Sequence, residues 1–175
     1  MRIIVAISGA SGAKLGLKLL SMLPSSYEKH LIVSDHAQIV LDKEDGITTH
    51  KNSEIWASVA SGSFKCDVML IVPCSMNTLA KISCGIADNL ITRAASVMIK
   101  ERKTLLLAPR EMPFSAIALE NMLKLSRLGV IIAPPVLAYY SDQKELEQME
   151  DFMIGKWLDL VGIENDYYKR WGEDE

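Results

Sequence analysis

Long hydrophobic runs, a surplus of one charge and paired cysteines are all missing from this chain. No stretch approaches the length of a membrane span. The opening Met1-Arg2 leads into Ile3-Ile4-Val5-Ala6-Ile7, a run too short for a secretory apolar region and interrupted at Gly9, so no signal segment is expected. The net charge of -3 gives no reason to expect nucleic acid, and the charges are mixed along the chain, so any basic cluster must be assembled by folding. Cys66, Cys74 and Cys84 show no Cys-x-x-Cys spacing, which argues against a zinc site and a disulfide frame. A cytoplasmic location follows as an expectation. There is no internal repeat, no Gly-x-Gly-x-x-Gly fingerprint, no Walker loop and no Gly-x-Ser-x-Gly nucleophile elbow. The three histidines all fall in the first third. His30 before a strand and His50 in a polar loop read as plain surface residues, and His36 is the one worth testing as a catalytic group.

With 175 residues, 49% of them hydrophobic, the chain is long enough for one ordinary domain with a real core and too apolar to be disordered. Short apolar runs rich in β-branched residues read as buried strands at Ile3–Ile7, Leu31–Val33, Val68–Val72, Leu105–Ala108 and Val130–Ile132. Helical spacing marks Lys14–Leu23, Thr78–Cys84, Asn89–Glu101, Ser115–Leu128 and Glu145–Val161. Apolar strands alternating with helices predict an α/β fold: a three-layer, doubly wound parallel sheet of Rossmann or flavodoxin-like type. The domain is expected to span residues 1–163. A tail of residues 164–175 carries Tyr167, Tyr168 and Trp171, which points to packing on the domain or on a neighbouring subunit.

In such sheets ligands bind beyond the carboxyl ends of the strands, so the residues after each strand matter most. The first strand runs into Ser8-Gly9-Ala10-Ser11-Gly12-Ala13. Small residues there let the backbone approach a ligand, and the helix start offers N–H groups to an anion. A tight strand-helix turn explains the same residues equally well. Pro73-Cys74-Ser75-Met76-Asn77-Thr78 crowds hydrogen-bonding side chains at another helix start, where Ser75 could serve simply as a cap. Two such starts at one sheet edge favour a bound phosphate ester. Ser34 follows the second strand, with Asp35, His36 and Glu44 beyond it. Pro109-Arg110-Glu111-Met112-Pro113 holds an arginine in a stiff loop at the same edge, where it could grip a phosphate through two nitrogens. Pro134-Pro135-Val136-Leu137-Ala138-Tyr139-Tyr140 forms a rigid, partly apolar wall. Cys74, at an apolar strand end, reads as a packed thiol.

These segments, together with Ala60-Ser61-Gly62-Ser63-Phe64, Asp88-Asn89-Leu90-Ile91-Thr92-Arg93-Ala94-Ala95, Lys100-Glu101-Arg102, Leu119-Glu120-Asn121-Met122 and Arg170-Trp171-Gly172, resemble the flavin prenyltransferases of the UbiX/Pad1 type. That group sits within the wider homo-oligomeric flavin-containing cysteine decarboxylases. The resemblance covers nearly the whole chain. It implies non-covalent FMN binding by Gly9, Ala10, Ser11, Ser34, Ser75, Met76, Asn77, Thr78 and Arg110. It implies dimethylallyl phosphate binding by Tyr140 and Lys156, with Arg93, Lys100 and Arg110 nearby and Trp56 as an aromatic wall. Ser11, Glu44, Lys100 and Glu111 fall on positions tied to catalysis. The implied reaction transfers a dimethylallyl group to N5 and C6 of reduced FMN without a metal. The product would serve UbiD-type decarboxylases, and the protein would be a homo-oligomer, with trimers assembling into a dodecamer. Leu137 and Tyr139 are mild departures from the family pattern, and Lys156 is a point charge where a fork would grip phosphate more firmly. Two competing readings are an FMN-dependent cysteine-type decarboxylase and a flavin carrier subunit without chemistry. The first is disfavoured because Pro109-Arg110-Glu111-Met112-Pro113 and Leu119-Glu120-Asn121-Met122 stand here in place of those relatives' Pro-x-Met-Asn-x-x-Met-Trp stretch.

Overall fold

The computed structural model describes residues 1–9, 11–34, 46–139 and 144–170. The chain divides into two compact units, Met1–Pro134 and Pro135–Glu175.

The first unit is built on a six-stranded sheet: β1 (Arg2–Ile7), β2 (Glu28–Val33), β3 (Ile47–Lys51), β4 (Val68–Cys74), β5 (Thr104–Pro109) and β6 (Ile131–Ile132), in the order β3-β2-β1-β4-β5-β6. Every pairing is parallel. The central strands are apolar on both faces because both faces are covered: Ile3 to Ile7 and Met69 to Val72 are fully buried. One face carries Ile4, Ala6, Met69, Ile71, Leu105 and Leu107, packed beneath α2 (Met76–Ser83), α3 (Leu90–Lys100) and α4 (Ala116–Arg127) through Leu79, Leu90, Ala94, Met98 and Leu125. The other face receives α1 (Ala13–Met22). A Cβ on Gly16 would strike the Val72 carbonyl and the Ile7 side chain, so only glycine lets α1 settle this closely. The α/β, doubly wound expectation is thereby met.

The starts of α3 and α4 are chemically specified. Asn89 caps α3 in a reciprocal box with Thr92, at 3.0 Å and 3.3 Å. The same helix end is tied to the segment after β3, where Asn52 accepts from the Leu90 and Ile91 N–H groups at 2.8 and 3.0 Å. Ser115 caps α4, and the Ser83 hydroxyl donates to Asn121 across the α2–α4 contact at 2.9 Å. Asn121 of the Leu119–Met122 segment is therefore a helix-packing residue.

The second unit contains α5 (Leu146–Leu160). Arg170 pairs with Asp159 at 3.0 Å, and the Tyr168 ring meets Phe152 edge-on with centroids 4.8 Å apart. A Cβ on Gly155 would come within 2.5 Å of that tyrosine ring. Tyr168 is thus packed on α5, while Trp171 and Gly172 lie outside the described residues.

Two readings need correction. Residues 47–51 form the edge strand β3 and not a loop; the Ile-Thr-Thr-His-Lys run is too polar to signal a strand, because an edge strand need bury only one side. His30 and His50 are not plain surface residues. His30 is 4% exposed within β2, with Nδ1 3.1 Å from His50 Nε2 and Nε2 3.0 Å from Glu28 Oε1. Phe64 closes against His30 edge-on, and the Arg2 guanidinium lies 4.1 Å over the Phe64 ring while pairing with Glu28 at 2.8 Å. The 60–64 segment is accordingly a structural brace at the amino edge of the sheet.

Burial, then the neighbouring His30, lowers the pKa of His50 below its usual 6.5, against a smaller opposing pull from Glu54. Folding therefore favours its neutral form. The stability this contributes is complete above pH 6.5 and fades as pH falls through the lower folded value. Urea midpoints measured between pH 7.5 and 5 should decline less steeply in His50→Gln than in the wild type; equal slopes would refute the assignment.

Candidate functional site

The chain crosses the sheet outward from β1 through β2 to β3, then returns beside β1 as β4 and proceeds through β5 to β6. The direction of winding reverses between β1 and β4, and it is at such a reversal, at the carboxyl ends of the strands, that sheets of this type place their ligand crevice.

Three segments converge on this edge. Gly9 follows β1 at φ 103°, and a Cβ built on it would sit 3.5 Å from Ser75 Cβ, so the turn after β1 lies against the start of α2. Ser34, following β2, accepts a hydrogen bond from the Gly9 N–H at 3.3 Å. Gly12, at φ 85°, starts α1 without any side-chain cap. The Arg110 Cδ would lie 3.8 Å from a Cβ at Gly12, which places the arginine stem along the glycine turn. The Arg110 N–H also reaches the Cys74 carbonyl at 3.4 Å.

At α2 the capping role of Ser75 is confirmed. Its Oγ accepts from the Thr78 N–H at 3.2 Å and donates to Thr78 Oγ1 at 3.0 Å. That satisfies the third N–H of the helix and leaves those of Met76 and Asn77 to a ligand or water. The uncapped start of α1 offers its first N–H groups in the same way. Exposed Ser11, Asn77 and Arg110 line this edge. Backbone N–H groups, hydroxyls and one guanidinium, around a turn with no side-chain bulk, form a donor set suited to a phosphate ester such as that of FMN.

Cys74 is fully buried, and burial pushes its thiol up to about 12, so it is protonated and inert at neutral pH. The sequence reading missed Ser8, buried at the end of β1, whose hydroxyl accepts from the Ser75 N–H at 3.0 Å. Its only signal in sequence is its adjacency to Gly9.

A second group gathers elsewhere. Trp56, Arg93 and Lys100 line an open cleft of about 490 Å³ along the outer side of α3, with Ala60, Gly62 and Ser96. Trp56 is 79% exposed. Lys100 Nζ pairs with Glu101 Oε1 at 2.7 Å, and this contact holds the Glu101 carboxyl below its usual range. Lys100 ends α3 just before β5 begins, whereas Arg110 follows the far end of β5. Six residues of strand separate the two edges, roughly 20 Å. Within one chain, therefore, Lys100 and Arg110 are not brought together.

Glu111 is exposed beside Arg110, and its carboxylate accepts from the Met112 N–H at 3.1 Å. Lys156 belongs to the second unit, its Nζ 5.7 Å from the Tyr168 ring centroid. Ala10, Asp35, His36, Glu44 and Tyr140 lie outside the described residues. Among the described residues, no group of three or more His, Cys, Asp or Glu is placed to hold a metal ion, and no helix is long and apolar enough to cross a membrane.

A protein-family model described as Flavoprotein matches residues 1–157. The flavin prenyltransferase UbiX of Helicobacter pylori is 48% identical over 98% of this chain and 99% of its own. The chain belongs to the UbiX flavin prenyltransferase family. A crystal structure of AnUbiX (PadA1) in complex with FMN and dimethylallyl pyrophosphate superposes with a TM-score of 0.91 at 40% identity, covering 99% of this chain and 98% of that one. A dodecameric FMN-dependent UbiX-like decarboxylase from Escherichia coli O157:H7 matches with a TM-score of 0.89 at 40% identity, covering 98% and 99% of the two chains.

Gly9→Ala should destabilise the fold by about 1–2 kcal/mol, because a side chain is forced into a positive-φ conformation. It should weaken flavin binding as well, because relieving the strained φ of 103° shifts the turn that faces the α2 start. Urea unfolding and flavin fluorescence titration measure the two effects, and an unchanged affinity would place the flavin away from this turn.

Proposed function

We propose that the protein is a flavin prenyltransferase that joins a dimethylallyl group from dimethylallyl phosphate to N5 and C6 of reduced FMN. What carries this reading is the convergence of the Gly9–Gly12 turn, the α2 start and Arg110 on the β1–β4 crevice, in a chain of this family. FMN would be held by Gly9, Ala10, Ser11, Ser34, Ser75 to Thr78 and Arg110. Reduced FMN, when bound, supplies the nucleophilic ring atoms.

The protein's task is to orient the two substrates and to stabilise the departing phosphate. Fixed cations do the latter in a site where they need not reorganise as charge develops. Arg93 and Lys100 are the candidates, with Tyr140 and Lys156 completing the phosphate grip. The Lys100–Glu101 pair is solvent-exposed, so exchanging the carboxylate for a phosphate costs little. Trp56 offers a π face to the carbocation-like prenyl fragment. Glu111, or Glu44, takes up the proton released from the flavin ring. Ser11 sits on the same turn as Gly9 and supplies a hydroxyl toward the flavin.

The separation of Lys100 from Arg110 is reconciled if the protein works as a homo-oligomer, in which the α3 cleft of one copy faces the flavin crevice of the next. We read the assembly as a dodecamer, acting in the cytoplasm and passing its product to a UbiD-type decarboxylase.

Incubated with reduced FMN and dimethylallyl phosphate in the absence of added metal, the protein should yield flavin heavier by one prenyl unit in mass spectrometry. An unchanged flavin mass would sink the proposal. Lys100→Ala and Arg110→Ala should each keep the fold and lower kcat about 100- to 1,000-fold. Oligomers reassembled from a mixture of the two variants should regain part of the activity, because some sites then draw both cations from unmutated positions. No recovery on mixing would return both residues to a single chain's site.

A further inference from the structure

Beyond Ala6 and Ile71 the registered ladder between β1 and β4 ends. The next residues of β4 include Pro73, which has no N–H to donate, and the β4–β5 pairing is irregular between Ile71 and Cys74. The two flavin-facing loops nevertheless leave this point in contact, with the Gly9 Cβ position 3.5 Å from Ser75 Cβ.

Ser8 supplies what the ladder no longer does. Its N–H donates to the Pro73 carbonyl at 3.1 Å, its Oγ–H donates to the same carbonyl at 3.4 Å, and its Oγ accepts from the Ser75 N–H at 3.0 Å. One hydroxyl can make both bonds, having one proton and two lone pairs. Only 3% of Ser8 is exposed, so its hydroxyl is committed to the protein and not to a ligand. Ser75 in turn caps α2 and so aims the Met76 and Asn77 N–H groups. We propose that Ser8 is a positioning residue, a clamp whose side-chain hydroxyl sets the spacing between the Gly9–Gly12 turn and the α2 start and thereby the seat of the flavin. The proposal rests on the reading that these two segments cradle FMN.

The test compares wild type, Ser8→Ala and Ser8→Thr for far-UV circular dichroism, for FMN affinity by fluorescence quenching and for the visible absorption band of the bound flavin. Ser8→Ala should fold, raise the FMN Kd about tenfold and move the band toward that of free flavin, as expected for the loss of one buried hydrogen-bonded hydroxyl. Ser8→Thr, which restores the hydroxyl, should recover both the band and an affinity within about threefold of wild type. If Ser8→Ala does not fold, Ser8→Cys, with its weak acceptor, is read in its place against the same outcomes. Wild-type affinity and an unshifted band in the alanine variant overturn the clamp, as does a threonine variant that folds and is no better than alanine. Wild-type protein that takes up no FMN overturns the functional reading and the clamp with it.

Discussion

The pairing of β1 with β4 is the constraint on which the rest of the molecule depends. It joins the two halves of a sheet that winds in opposite directions, so it fixes both the fold and the place where a crevice can open. From Ile3 and from Val68 onward both strands are apolar on both faces and buried, so a shift in their register would misplace a close-packed core. Everything assigned to flavin binding in the first unit hangs from their carboxyl ends or from the neighbouring strands β2 and β5. A loop donor is only as well placed as the strand that delivers it.

This dependence explains which features were legible in the sequence. Ile3–Ile7, Val68–Val72 and Leu105–Ala108 announce themselves because strands covered on both faces must be continuously apolar. The helix starts at Ser75, Asn89 and Ser115 were legible for a different local reason: an oxygen-bearing side chain satisfies an otherwise unpaired N–H. β3 was not legible, since its Thr48, Thr49 and Lys51 carry no apolar signal. Nor was the His30–His50–Glu28 contact, which exists only once β2 and β3 pair. Long-range polar contacts of this kind leave no periodic trace.

The candidate site divides along the same line. The Gly9–Gly12 turn and the Arg110 loop were readable as ligand-edge features because strand ends are readable. The distance between Lys100 and Arg110 was not, because residues only ten apart in sequence look close until a strand is drawn out between them. Family resemblance assigns both to one reaction, whereas topology assigns them to opposite edges of one sheet.

That conflict bears on why the chain should assemble at all. A cleft of about 490 Å³ with an exposed indole and two cations is poorly suited to a free surface. Trp56 gains nothing from standing in water, and among the described residues Lys100 is held by a solvent-screened partner, Glu101. Both become useful when another surface excludes water from them, since the attraction between a fixed cation and a leaving phosphate grows as the local dielectric falls. A crevice rich in hydrogen-bond donors for a flavin, yet with Arg110 as the one cation of its own chain assigned there from the first unit, is the complementary half. Assembly would then do more than stabilise the fold: it would dry the reacting centre and add the charge that one copy alone does not bring to it.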